Sequence, residues 1–178
     1  MTARGSGEST IFFPTTYRWV SDVSDSDKVP DEAVWHRKFG AACNNRAWNL
    51  SVQPHRSPAE DLKMLDASHA SAWHWGHIGT ELHRIRAMML LADVYALVGR
   101  GSSALAYARE MRDYFLRTGA PDWEVALAHA IYAHAAAIAG DREQHIASYR
   151  LAVDAVAGIA DEEDRRIVVQ TFGHVPSP

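Results

Sequence analysis

The chain has 178 residues, 47% hydrophobic and 22% charged, which suits one globular domain with its own core and is too apolar for a disordered tail. A formal net charge of −4, with Arg and Asp/Glu interspersed rather than blocked, argues against a surface built to hold phosphate backbones, so no nucleic acid partner is expected. The single Cys43 leaves no internal disulfide, no apolar run approaches the roughly 18 residues of a membrane span, and residues 1–10 lack the apolar core of a signal peptide; the expectation is a cytoplasmic protein with no membrane partner.

Residues 1–29 hold Gly, Ser and Asp clusters around one short apolar stretch, Ile11-Phe12-Phe13, followed by Tyr17, Trp19 and Val20. They read as a loose N-terminal arm with one docking patch, ahead of a single all-α domain over 30–178. From Pro30 onward the hydrophobic period is that of helices, strand signals are absent, and the predicted segments are 31–50, 59–77, 81–98, 103–118, 122–139, 141–159 and 162–172. Pro30-Asp31, Ser57-Pro58, Gly79-Thr80, Gly101-Ser102-Ser103 and Pro121-Asp122 suit helix starts, where a side-chain oxygen caps free N–H groups or Pro needs no donor. Gly99, Gly119 and Gly140 sit where helices end, because Gly tolerates the left-handed conformation that closes a helix.

The apolar face of segment 31–50, drawn through Trp35, Phe39, Ala42, Cys43 and Leu50, also includes His36 and Arg46. An Arg there must find a carboxylate or a polar cavity. In segment 59–77 the apolar side runs through Leu62, Leu65, His69, Ala72, Trp73 and Gly76, while His74 and His77 fall with Lys63 on the polar side. Segment 103–118 places Ala104, Ala108, Met111 and Phe115 on one face, with Arg109, Asp113 and Arg117 opposite. Segment 122–139, with eight Ala residues beside Val125, Leu127, Ile131 and Ile138, has almost no polar side and is expected to be wrapped by neighbours. Segment 141–159 returns to two sides, Tyr149, Ala152, Val156 and Ile159 against Glu143, Arg150 and Asp154. The last segment opens with Asp161-Glu162-Glu163-Asp164 and follows with Arg165-Arg166, matching the helix dipole and i,i+4 pairing.

Two stretches repeat at an offset of 41 residues: Leu91-Ala92-Asp93-Val94-Tyr95 through Gly99 to Ala104, and Tyr132-Ala133-His134-Ala135-Ala136 through Gly140 to His145. Each reads as helix, tight turn, helix. With Ala92, Tyr95, Gly99 and Ala104 in the first unit and Ala133, Gly140, Tyr149 and Ala152 in the second, residues 81–159 resemble tetratricopeptide-type helical hairpins. The chain departs from that pattern at Ala108, Met111, Ala136 and His145, and lacks its closing Pro. The resemblance implies an all-α array of about seven helices, stacked as antiparallel hairpins in a right-handed superhelix whose concave surface meets peptides or other proteins.

The segment from Asp66 to Gly79 is chemically unusual, with three His and two Trp between His69 and His77. If the first two helices form an antiparallel hairpin, His36, Arg46, Asp66 and His69 could line one pocket walled by Trp35 and Trp73, the make-up of a small-molecule site. The alternative is a buried Arg46–Asp66 pair that locks two helices, with His69 a hydrogen-bonded core histidine. His74 and His77, spaced i,i+3, are either surface residues or two ligands of a metal that needs a third from elsewhere. Two functions follow. One is a non-catalytic interaction or scaffold protein that binds a peptide or protein partner, a second copy of itself included, and needs no cofactor. The other is a protein, an enzyme included, that binds a small molecule or a divalent transition metal through the His/Arg/Asp pocket.

Overall fold

The computed structural model describes residues 31–178; the arm and its Ile11-Phe12-Phe13 patch lie outside the described residues. Seven helices follow one another: α1 (Glu32–Ser51), α2 (Pro58–Ile78), α3 (Glu81–Leu97), α4 (Gly101–Thr118), α5 (Asp122–Ala139), α6 (Arg142–Gly158) and α7 (Glu162–Phe172). Their ends lie within two residues of the predicted ones, and the described residues contain no strand. No described helix is long and apolar enough to cross a membrane.

Local chemistry sets these boundaries. Asp31, Asp141 and Asp161 each accept a backbone N–H of the first turn that follows. At α2 the cap is reciprocal: Ser57 Oγ accepts the Glu60 N–H, and the Glu60 carboxylate accepts the Ser57 N–H at 2.8 Å. Replacing Ser57 by Ala is therefore expected to cost about 1 kcal/mol. Urea unfolding checks it, and a midpoint equal to that of the wild type would show that the cap contributes nothing. Gly99, Gly119 and Gly140 close α3, α4 and α5 at φ 74°, 63° and 77°.

Each helix from α1 to α7 packs against the next in the chain, α1 with α2 and α5 with α6 most extensively. The odd helices also touch in series, α1 to α3, α3 to α5 and α5 to α7, while α2, α4 and α6 do not touch one another. Two layers result, an odd one of four helices and an even one of three. Helix α5 is enclosed by α3, α4, α6 and α7, and everything from Ala126 to Ala136 is buried. Its alanines let four neighbours approach one backbone, where larger side chains would hold them off. The predicted face of α4 is the buried one, with Ala104, Ala108, Met111 and Phe115 fully inside.

The first hairpin packs differently from its wheel. In α1 the buried residues are Gly40, Ala47 and Ser51, while Phe39, Ala42 and Arg46 are exposed. In α2 they are Met64, Ala67, Ser68 and Ser71, while Leu62 and Trp73 are exposed. Both faces are rotated by about one residue, or 100°, from the apolar stripe. The reason is close approach. Ser71 Oγ donates to the Gly40 carbonyl at 2.9 Å, and a side chain at Gly40 would meet the Trp75 ring at 3.0 Å, so small residues of α1 meet α2 at the seam.

Candidate functional site

That rotation redistributes the residues of the first hairpin. Arg46 and Asp66 are exposed and form no ion pair with each other. His69 is exposed as well, and its Nε2 lies 2.8 Å from the Tyr95 hydroxyl, so it ties α2 to α3 rather than entering a pocket. Trp73 is 64% exposed, its ring 4.5 Å from that of His77. Trp35, half-buried, stacks on Phe39 at 5.3 Å.

His36 meets histidines instead. Its Nδ1 is 2.9 Å from His74 Nδ1, its ring stacks on His77 at 4.5 Å, and its Nε2 is 3.5 Å from Glu32. A hydrogen bond between two ring nitrogens requires one proton between them, so at least one ring of the His36–His74 pair is neutral. Burial, then the His36 and His77 charges, hold His74 below the usual histidine range. His77 turns its Nδ1 to the Trp73 carbonyl at 2.9 Å. Among the described residues no three His, Cys, Asp or Glu side chains are placed to hold one metal ion.

A concave feature built from four helices lies on α1, α3, α5 and α7. A cavity of about 320 Å³ is walled by Trp48 of α1, Met89 and Leu90 of α3, Trp123 and Leu127 of α5 and Ile167 of α7. A second, of about 160 Å³, adjoins it and is lined by Trp75, His83 and Ala87. Asn44, Asn45 and Arg86 line both. Arg86 Nε donates to Glu124 Oε1 at 2.6 Å, joining α3 to α5, and its guanidinium stands 5.8 Å from the centre of the Trp123 ring. The Glu124 side chain is 1% exposed and that of Arg86 42%, so the carboxylate is the floor of the pair and the guanidinium its open face. The His83 ring stacks on Trp75 at 4.5 Å, and its Nδ1 accepts the Thr80 N–H, which leaves the ring proton on Nε2.

Two turns further along the same faces, seven residues on from Arg86 and Leu127, α3 and α5 carry Asp93 and His134. Asp93 is 1% exposed and neither carboxylate oxygen has a hydrogen-bond partner; the nearby Ser51 hydroxyl donates to the Trp48 carbonyl at 2.9 Å. Burial pushes Asp93 up to about 7, against the opposing influence of the Arg56 guanidinium and of Ser51. Arg56 itself is anchored to Asp61 at 2.8 Å and to the carbonyls of Leu50, Ser51 and Gln53. It also acts on His174, which burial and the Arg56 charge hold low. His134 is pushed down to about 4, by burial first and then by the charges of His174 and His145.

The groove and this buried polar row escaped the sequence reading, although one signal was there: a Glu in an otherwise apolar helix must find a partner, and Glu124 is such a residue. No protein-family model, curated protein or solved structure matches the chain.

Proposed function

We propose that the chain is a non-catalytic helical-repeat interaction protein, its hairpins stacked as a tetratricopeptide-like right-handed superhelix, and that the odd layer binds an extended segment of a protein partner. The observation that supports this reading is the groove itself. Four helices distant in sequence direct Trp48, Met89, Trp123, Leu127 and Ile167 to one apolar cavity, with the amides of Asn44 and Asn45 at its edge. The seriate packing of odd helices, with even helices kept apart, is the pattern that exposes one continuous inner surface in helical-repeat proteins. Tryptophans in a pocket act as interface anchors, since each buries a large apolar area at little conformational cost.

The test is to pan a random heptapeptide library displayed on phage against the full chain. Binders are expected, with Trp48→Ala and Trp123→Ala each lowering their affinity at least tenfold and Leu116→Ser, at an exposed position of α4, leaving it unchanged. Circular dichroism melts of the three variants separate loss of binding from loss of fold. Peptides that bind equally well to both Trp variants would place recognition elsewhere and sink the reading.

A further inference from the structure

We propose that this groove selects an uncharged internal peptide segment, with a large apolar side chain in the 320 Å³ cavity and a small residue two positions away in the 160 Å³ cavity, and discriminates against acidic motifs, basic motifs and chain termini. The inference rests on the reading of the groove as a peptide site. It concerns what that site accepts.

Charge decides against the ionic ligands. Among the described residues Arg86 is the one Lys or Arg that lines either cavity, and its Nε is bonded to the buried Glu124 carboxylate at 2.6 Å. The pair carries no net charge. A ligand carboxylate on the open edge of the guanidinium would be a second anion beside a buried first one, and its lost hydration would be repaid by no free cation. A ligand ammonium would meet the exposed face of the guanidinium before it met Glu124, which lies behind it. His83, with its Nδ1 engaged by the Thr80 N–H, offers a ring N–H donor.

Hydrogen-bonding capacity decides for the peptide backbone. A neutral amide has one donor and one acceptor, and the lip shared by the two cavities supplies both kinds of partner. Asn44 and Asn45 each present a carbonyl and an NH₂ group, and Arg86 presents the guanidinium N–H groups that Glu124 does not take. Side chains two apart on an extended chain point the same way, about 6.5–7 Å from each other, and the two cavities are neighbours, since Asn44, Asn45 and Arg86 line both. Trp48 and Trp123 in the larger cavity favour a bulky apolar side chain, whereas the smaller cavity has about half its volume.

The experiment is the same phage library, read for composition, with the recovered sequences synthesised with blocked and with free ends. The expected pool has no net charge, and a large apolar residue lies two positions from a small one. Its representative binds within about twofold whether its ends are blocked or free, and within about twofold between 50 and 500 mM NaCl, because no exposed ion pair is formed. Glu124→Gln, which keeps the side-chain shape and frees the Arg86 charge, is expected to turn the recovered pool acidic and to make binding fall several-fold over the same salt range. A wild-type pool that is acidic or basic, or a wild-type affinity that drops tenfold with salt, overturns the selectivity while binding that still depends on Trp48 leaves the groove reading standing. Failure to recover any peptide whose binding depends on Trp48 or Trp123 overturns both. A Glu124→Gln pool that stays neutral overturns the role given to the Arg86–Glu124 pair, and if that variant does not fold, the wild-type salt series decides alone.

Discussion

Replacing Asp93 by Asn stabilises the protein at and above pH 7, and the gain relative to the wild type disappears as the pH is lowered to 4. The carboxyl titrates near 3.8 when unfolded and about 7 in the folded protein. Below 3.8 both states hold the proton and the residue contributes no pH dependence. Between 3.8 and about 7 the folded state keeps a proton that the unfolded state has lost, so stability falls as pH rises, and above 7 the full cost of a buried carboxylate is present. At about 1.4 kcal/mol per pH unit the span amounts to about 4 kcal/mol. His134 runs the other way. Its folded value of about 4 lies under the ordinary 6.5, so its contribution is complete above 6.5 and is lost as pH falls toward 4, about 3 kcal/mol in all. Between pH 4 and 6.5 the two slopes oppose each other in the wild type. Asp93→Asn removes the falling slope, so its stability rises with pH more steeply than that of the wild type. His134→Gln removes the rising one and gains relative to the wild type as the pH falls. Urea unfolding at unit intervals from pH 4 to 8 reads both differences. Profiles that run parallel to the wild type would show that neither group titrates away from its ordinary value.

Gly101→Ala is expected to cost about 3 kcal/mol or more, since overpacking against a fixed backbone sits at the upper end of its usual range. A Cβ at this position would stand 2.5 Å from the backbone nitrogen of Ala139 and 2.6 Å from its Cα and from the Ile138 carbonyl carbon. None of these atoms can rotate aside, so the start of α4 and the end of α5 must separate, and the buried surface between them opens. For a domain of this size the melting temperature should drop by about 10 °C. Gly76→Ala is the control: its Cβ meets nothing within 4 Å, and Ala is the better helix former, by up to about 1 kcal/mol. Equal melting temperatures for the two variants would mean that α4 and α5 do not approach as closely as described.

Gly101 also marks the one start that lies two residues ahead of the predicted one. Gly101-Ser102-Ser103 reads as a helix start with the segment running from Ser103, and the helix begins at Gly101, where the missing Cβ is what lets the chain pass Ala139. The pocket drawn from Trp35, His36, Arg46, Asp66, His69 and Trp73 was assembled from two apolar stripes, and the hairpin turned away from both. His36 meets His74 and His77, Trp73 lies against His77, and Arg46, Asp66 and His69 are exposed.

The sequence by itself determined the all-helical class, the seven helices, their ends and the enclosure of α5, because each depends on chemistry within about four residues along the chain. A cap such as Ser57–Glu60, a left-handed Gly99 and the apolar period of α4 need no knowledge of what lies across the core. The tertiary structure alone decided how far each helix turns about its axis, and with it which side chains meet. In the first hairpin the buried side includes small residues such as Gly40, Ala47 and Ser71, while Phe39, Leu62 and Trp73 stay exposed. Arg86 and Glu124 meet across 38 residues, and Asp93 and His134 are buried by the same packing. The Arg86–Glu124 pairing and the acidities of Asp93 and His134 are properties of the space between helices, which a helical wheel does not contain.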